Sequence, residues 1–196
     1  MDNLDISKAI YALNIGKVVV YPTDTLYGLG ADIYNESAVR KVFQIKKRPF
    51  NNPLSVAVNN ISELEQIAIL NEESSRLAKA FLPGKLTLIL NKKPSIPDIV
   101  TSGLKKVAIR IPNNKLALRL LSEFGPLTAT SANIHGKKTP VIIKDIIMQF
   151  NKGDIGSYLD IGKVKGKPST IVDATGKNIK VLRIGEISKK EILDEI

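Results

Sequence analysis

Residues 17–58 are KVVVYPTDTLYGLGADIYNESAVRKVFQIKKRPFNNPLSVAV, and this pattern predicts a strand, a polar loop, a helix and a second strand in succession. The apolar run Val18–Tyr21 is too short for a helix and is followed by proline, as expected of a buried strand. Asn35 is a good helix N-cap, and apolar residues at helical spacing continue from it towards Lys46. Leu54–Val58 is the second predicted strand, and a unit of this kind is typical of α/β proteins.

Two features of this unit suggest chemistry. The predicted loop Pro22–Gly30 contains two glycines and three hydroxyl side chains, and the basic cluster Lys46–Arg48 follows the helix. Each feature also has a plain structural explanation, because glycines close turns and the helix dipole favours cations at a C-terminus. The sequence contains neither a P-loop nor a complete dinucleotide fingerprint. A nucleotide site here would therefore be of another kind.

The rest of the chain alternates strands and helices loosely, with consecutive strands near its end. Helices are predicted after the capping signals Asn71, Ser62–Glu65 and Ser188–Glu191, and around Leu116–Leu121 and Ile142–Phe150. Strands are predicted at Leu86–Leu90, Val107–Ile111, Leu127–Ala132, Tyr158–Ile161, Thr170–Asp173 and Ile179–Arg183. This order favours an α/β fold with a mixed parallel and antiparallel sheet and flanking helices.

Length and composition indicate a globular protein. The chain has 196 residues, of which 43% are hydrophobic, and we expect residues 1–196 to form one domain. It has no cysteine, which excludes disulfides, thiolate metal sites and a cysteine nucleophile. No apolar run is long enough to span a membrane, and charges within Met1–Leu13 argue against a signal peptide. We expect a cytoplasmic protein without membrane association.

The positive charge indicates an anionic partner. The formal net charge is +10, from 29 Lys and Arg against 19 Asp and Glu. Concentrated in a cleft, this charge would attract a triphosphate, and spread over the surface it would give weak, salt-sensitive attraction to RNA. Aromatic residues are 5% of the chain and tryptophan is absent, which disfavours a platform for stacking single-stranded bases. The charge permits RNA binding without demonstrating it.

Five motifs occur in order along most of the chain. They are PTDTLYGLGAD with the following K-x-R-P and N-P-L, VAIRIP at Val107–Pro112, TSAN at Thr130–Asn133, STIVD at Ser169–Asp173 and VLRIG at Val181–Gly185. In this set the chain resembles the YrdC-type threonylcarbamoyl-AMP synthase family, in its short form without an additional C-terminal domain. The resemblance implies a twisted mixed sheet curved around a positively charged cavity.

The resemblance also implies a reaction. L-threonine, bicarbonate or carbon dioxide, and ATP would give threonylcarbamoyl-AMP and pyrophosphate, and a tRNA threonylcarbamoyl transferase would use the product for threonylcarbamoyladenosine modification. Mg²⁺ would be carried by the ATP phosphates, since no dedicated carboxylate cage is visible and no metal site is predicted. Because the substrates carry anionic groups, such an enzyme mainly positions them and neutralises charge. Lysine, arginine, serine, threonine and asparagine suit that task.

The family motifs assign residues to both halves of such a site. Lys46 and Arg48 would be the catalytic cations. The implied ATP-binding residues are Lys46, Arg48, Asn52, Lys106, Ser131, Asn133, Thr139 and Arg183. The implied threonine-binding residues are Thr25, Arg110, Ala129 and Ser169.

From the residues alone, several of these assignments have alternatives. Arg110 is a natural carboxylate partner because its guanidinium forms a fixed fork, and its alternative is a solvent-facing charge on a half-buried strand. Arg183 has the alternative of an edge-strand charge, and TSAN has that of an ordinary turn. Lys106 would contact phosphate or face water. His135, the one histidine, is expected to be a loop residue.

Two departures and two rival functions remain open. Many longer relatives carry a histidine where this chain has Ala57, which removes one possible threonine contact. The second departure is Lys106, which stands where relatives often have a hydroxyl before the V-A-x-R strand. Because the sequence continues only briefly past the last motif, we also expect it to lack those relatives' additional C-terminal domain. The rival functions are a double-stranded RNA or tRNA-binding module and a carbamoyl-transfer enzyme acting on another acceptor. The module would place its positive charge on an open face, and the enzyme in a narrow cavity lined by hydroxyls.

Overall fold

The computed structural model describes residues 3–164 and 167–196. The helices are α1 Asn3–Asn14, α2 Glu36–Lys46, α3 Ile61–Ile67, α4 Glu72–Phe81, α5 Asp98–Thr101, α6 Lys115–Phe124, α7 Ile143–Ile147 and α8 Lys189–Leu193. The strands are β1 Val18–Pro22, β2 Tyr27–Gly30, β3 Ser55–Ala57, β4 Ala68–Ile69, β5 Leu86–Lys92, β6 Lys106–Arg110, β7 Leu127–Thr128, β8 Thr130–Ser131, β9 Ile155–Tyr158, β10 Thr170–Asp173 and β11 Lys180–Arg183.

The strands form two mixed sheets. The smaller sheet has the order β8-β2-β1-β9, and the larger has the order β11-β10-β5-β6-β3-β7, with β4 paired to β5. Parallel pairing occurs between β1 and β9, between β10 and β5 and between β3 and β6, and the other pairs are antiparallel. The predicted mixed α/β architecture is therefore confirmed, with its strands divided between two sheets.

The central unit folds as its sequence predicts, except in the loop. The backbone N–H of Ala38 donates to the Asn35 side chain at 3.1 Å, and Lys47 ends α2 in the left-handed conformation. Tyr27–Gly30, however, is a strand and not part of a loop. It forms a hairpin with β1, in which Gly28 and Gly30 face the Tyr21 ring; a Cβ on Gly30 would lie 3.0 Å from that ring. Because these glycines have no Cβ, they leave the space that the buried Tyr21 ring occupies.

Two other predictions shift in position. Asn60, and not Ser62, caps α3 by accepting from the backbone N–H of Glu63 at 2.9 Å. The strand predicted at Tyr158–Ile161 lies at Ile155–Tyr158.

No described helix has the length and apolar character needed to cross a membrane.

The strand predicted at Leu127–Ala132 is two short strands that belong to different sheets. Leu127 and Thr128 pair with β3 in the larger sheet, whereas Thr130 and Ser131 pair with β2 in the smaller one. Ala129 lies between them, and its N–H donates to the Ser55 carbonyl at 2.7 Å. The chain therefore passes from one sheet to the other within five residues.

Thr128 joins the two sheets at this crossing. Its fully buried hydroxyl donates to the Leu29 carbonyl at 2.8 Å and accepts from the Ala31 N–H at 3.0 Å. Its carbonyl accepts from the buried Tyr21 hydroxyl at 3.0 Å. One residue thus supplies hydrogen-bond partners to buried polar groups of two neighbouring segments.

Replacing Thr128 by valine tests this joint. Valine has nearly the same shape but leaves the Leu29 carbonyl and the Ala31 N–H without the hydroxyl, so the free energy of unfolding should fall by about 2–4 kcal/mol. Thr128→Ser keeps the hydroxyl and should lose at most about 1 kcal/mol for the missing methyl group. Denaturant unfolding measures both variants. A serine variant that is as unstable as the valine variant would contradict this assignment.

Candidate functional site

A cavity of about 670 Å³ is bounded by residues of both sheets. The smaller sheet contributes Tyr27 and Ser131, and the larger contributes Ser55 and Arg110. The hydroxyl-bearing loop between β1 and β2 supplies Thr23 and Thr25. Because the cavity lies where the chain crosses between the two sheets, residues far apart in sequence meet in its wall.

The cavity is basic. Four cationic residues line it, Arg48, Arg110, Lys138 and Arg183, and none of the lining residues that the structure describes is acidic. This arrangement confirms the prediction of a positively charged cavity. It selects for anionic ligands, because a cleft lined by one sign of charge concentrates its field.

Arg110 is the most buried of these cations. It is 6% exposed, and its Nη2 pairs with Asp24 Oδ1 at 2.6 Å while Nη1 donates to the Thr25 hydroxyl at 3.0 Å. Its Nε and the other oxygen of Asp24, Oδ2, are buried without a hydrogen-bond partner among the described residues. Asp24 therefore balances the charge of Arg110, and the guanidinium still has a donor to offer.

Ser169 is held from two sides. Its hydroxyl lies 2.8 Å from the Thr87 hydroxyl, and its carbonyl accepts from Nε and Nη2 of Arg183 at 3.1 and 2.8 Å. Leu88 pairs with Ile109, which places Thr87 opposite Arg110. Burial, with a smaller contribution from Arg110, lowers the pKa of Arg183. Arg183, which the family motifs assign to ATP, is thus in direct contact with Ser169, which they assign to threonine.

Arg48 is fixed by backbone carbonyls. Its Nε donates to the Asn52 carbonyl at 3.0 Å and its Nη2 to the Pro53 carbonyl at 2.9 Å. Asn52 does not line the cavity, and its described contact with Arg48 is made by its backbone. Burial lowers the pKa of Arg48, but the carbonyls satisfy its donors without neutralising its charge.

Lys46 is buried beneath the TSAN segment and does not line the cavity. It is 1% exposed, and its ammonium donates to the carbonyls of Ser131 and Asn133. Asn133, which also lies off the cavity wall, accepts from the Ser131 hydroxyl at 2.6 Å and donates to the Lys137 carbonyl at 2.7 Å. Both residues hold the backbone that presents Ser131 to the cavity.

The structure brings most of the residues assigned from sequence to the cavity, and places Lys106 elsewhere. Those that line it are Thr25, Arg48, Arg110, Ala129, Ser131, Thr139, Ser169 and Arg183. Lys106 lies at the other end of β6 from Arg110, and its Nζ pairs with Asp173 at 2.9 Å. Ala57 is buried in the core, and His135 is an exposed loop residue, as expected.

Sequence reasoning missed five polar lining residues: Thr23, Ser55, Thr87, Thr130 and Lys138. Thr87 offered a signal, because it is the one polar residue in the run Leu86–Leu90. Thr87 is 3% exposed, and its buried hydroxyl is hydrogen-bonded to the Ser169 hydroxyl, as a buried polar group requires. Ser55 and Lys138 carried no comparable signal, since a serine at a strand start and a lysine in a loop are common.

Comparisons with known proteins agree with this architecture. The family model Sua5/YciO/YrdC, described as "Telomere recombination", matches residues 11–185. A putative threonylcarbamoyl-AMP synthase of Methanocaldococcus jannaschii is 46% identical over 173 residues, which are 88% of this chain and 81% of the relative. The threonylcarbamoyl-AMP synthase of Pyrococcus abyssi is 41% identical over 181 residues, covering 90% of this chain and 53% of the relative.

A solved structure gives the same result. The crystal structure of P. abyssi Sua5 complexed with L-threonine superposes with a TM-score of 0.94 at 38% identity, covering 100% of this chain and 58% of that one. The chain therefore spans a little over half the length of these P. abyssi proteins.

Burial makes Lys46 a source of pH-dependent stability. Burial, assisted by the charge of Arg48, lowers the pKa of Lys46 from 10.5 to about 7. Between these values the unfolded chain binds more protons than the folded one, so stability should rise with pH across that window. Lys46→Met removes this titration.

The measurement is denaturant unfolding of wild type and Lys46→Met at several pH values. The stability difference between them should shift in favour of wild type from pH 7 towards pH 10.5 and stay constant below the window. Parallel pH profiles would show that the Lys46 amine has an ordinary pKa.

Proposed function

The chain belongs to the Sua5/YciO/YrdC family, and we propose from that premise that it is an L-threonylcarbamoyladenylate synthase. It would form threonylcarbamoyl-AMP and pyrophosphate from L-threonine, bicarbonate or carbon dioxide, and ATP. The observation that carries this proposal is the cavity wall, which combines three arginines and a lysine with hydroxyls and, among the described residues, no carboxylate. A basic cavity lined by hydroxyls favours an enzyme over an RNA-binding module.

The chemistry needs positioning more than covalent catalysis. The free amine of threonine attacks the carbon of carbon dioxide and loses a proton to solvent, or attacks the carbon of bicarbonate with loss of water, and gives a carbamate. A carbamate oxygen then attacks the α-phosphorus of ATP, and the bond to the β-phosphate oxygen breaks to release pyrophosphate. Holding three reactants together removes most of the entropic barrier, and fixed cations stabilise the charge that moves onto the phosphates.

The threonine half of the proposed site is built on Arg110. Its free N–H donors would bind the substrate carboxylate, while the hydroxyls of Thr25 and Ser169 orient the rest of the amino acid. Thr87 would act through Ser169, with which it shares a hydrogen bond. Ala129 would line this half with its backbone.

The nucleotide half uses Arg48, Arg183, Ser131 and Thr139, which all line the cavity. Because the Lys46 ammonium is occupied by two carbonyls, we assign Lys46 and Asn133 to holding Ser131 in place. Asn52 would hold Arg48 by its carbonyl, and Lys106 is left out of the site.

The remaining parts of the proposal concern partners. No group of three or more potential metal-ligating side chains occurs in the described part of the chain, so Mg²⁺ would be held by the ATP phosphates and water. A tRNA threonylcarbamoyl transferase would receive the product in the cytoplasm. Any direct RNA binding should be weak, steeply salt-dependent and without sequence preference.

The decisive test is pyrophosphate release from ATP and bicarbonate with each amino acid in turn, combined with mass detection of the adenylate product. Threonine should be the best substrate, and serine should be poorer by about 1–3 kcal/mol for the missing methyl group. Release that does not depend on any amino acid would contradict the proposal, as would tight, competition-resistant RNA binding without this activity.

Arg110→Lys tests the threonine half. Lysine cannot reproduce the fixed fork, so the threonine concentration for half-maximal rate should rise about tenfold to a hundredfold while ATP affinity stays nearly unchanged. Arg76→Lys is the matched control, because Arg76 is an exposed arginine on α4 that pairs with Glu72. If Arg110→Lys lowers ATP affinity instead, Arg110 belongs to the nucleotide half.

Arg48→Ala and Arg183→Ala separate the two halves. Each should weaken binding of a non-hydrolysable ATP analogue by about 1.5–3 kcal/mol, the usual contribution of a charged hydrogen bond. Since Arg183 also holds Ser169, its loss should weaken threonine binding as well, whereas Arg48→Ala should not. Calorimetric titration with each ligand measures this, and unchanged nucleotide affinity in both variants would remove these arginines from the site.

A further inference from the structure

Lys138 is a cavity cation to which neither the family motifs nor the reaction above assign a role. It is exposed and lines the cavity on the same segment as Ser131 and Thr139. Its neighbour Lys137 is equally exposed but does not line the cavity. The segment therefore directs one of two adjacent lysines towards the site.

The backbone on both sides of Lys138 is fixed. Asn133 Nδ2 donates to the Lys137 carbonyl at 2.7 Å, and Gln149 Nε2 donates to the Lys138 carbonyl at 3.1 Å. The Gln149 side chain also accepts from the Ile134 N–H at 2.9 Å. Gln149 lies two residues beyond α7, so a single amide side chain ties both ends of the loop 134–138 to the helical segment.

The cavity cations differ in how their charge is balanced. Arg110 has a carboxylate partner in Asp24, whereas Arg48 donates to backbone carbonyls and keeps its charge free. For Lys138, too, no carboxylate partner is found in the residues that the structure describes. A lysine is a compact, mobile point charge, which suits a group that must be bound and then released.

We propose that Lys138 binds the β- and γ-phosphates of ATP and the pyrophosphate formed from them, and that Gln149 is the positioning residue for it. This inference rests on the proposed synthase function. The triphosphate end carries most of the negative charge of the nucleotide and must leave to solvent as pyrophosphate, so an exposed lysine at the cavity wall is placed to follow it. The α-phosphate stays with the product and needs the fixed arginines.

The test compares Lys138→Gln with Lys137→Gln, which removes the same charge one residue away. Calorimetric titrations use pyrophosphate, a non-hydrolysable ATP analogue and AMP. Lys138→Gln should weaken binding of pyrophosphate and the ATP analogue about five- to tenfold and that of AMP less than about twofold, with the difference shrinking as salt is added. Lys137→Gln should leave all three within about twofold of wild type.

Equal losses in the two variants would overturn the proposal, because they would reflect the general charge of the loop. An equal loss for AMP in Lys138→Gln would overturn it too, by placing Lys138 at the α-phosphate or the nucleoside.

A double-mutant cycle tests Gln149. If Gln149→Leu acts through Lys138, the double variant should bind pyrophosphate no more weakly than Lys138→Gln alone. Multiplicative losses would remove Gln149 from this role. Pyrophosphate release with threonine is measured alongside. If the wild type makes no adenylate while Lys138→Gln still weakens pyrophosphate binding, the synthase function is contradicted. If the wild type is active and Lys138→Gln binds pyrophosphate as the wild type does, this inference alone is contradicted.

Discussion

The passage of the chain from one sheet to the other at residues 127–131 is the constraint on which the rest of the structure depends. Two sheets that share a short segment of backbone leave buried N–H and carbonyl groups at their junction, and each of these is costly unless it finds a partner. The Thr128 hydroxyl and carbonyl supply these partners to Leu29, Ala31 and Tyr21. Since the cavity wall is drawn from both sheets, this joint also sets the distance across the site.

The cavity has to keep cations at a partly buried site without neutralising them. Burying a charged group away from water is unfavourable unless it is hydrogen-bonded. Arg48 and Arg183 meet this requirement with backbone carbonyls, which accept hydrogen bonds and carry no net charge. Their positive charge therefore remains available to an anionic substrate. Arg110, the most buried, is the exception, and its ion pair with Asp24 offsets the larger penalty of its burial.

Local signals predicted much of the fold and most of the candidate site. The Asn35 cap, the helix α2 and the strand β1 depend on neighbours within a few residues, and each lies close to where the sequence predicts it. Arg110 and Arg183 also reach the cavity, because side chains on alternating positions of a strand have defined directions. The prediction of a loop over Tyr27–Gly30 is wrong, because its glycines indicate a turn but instead leave space for the Tyr21 ring beside the strand.

The sequence by itself determined which residue types are available: a cysteine-free, basic chain with arginines and hydroxyls in ordered motifs. Tertiary structure alone decided which of them face the cavity. Lys46 is two residues from Arg48, yet it is buried and donates to carbonyls of Ser131 and Asn133, which lie more than eighty residues away in sequence. Thr87 likewise lines the cavity, and its hydrogen-bond partner Ser169 is 82 residues away in sequence. Burial and hydrogen bonding between remote segments are properties of the packed chain, and no local pattern encodes them.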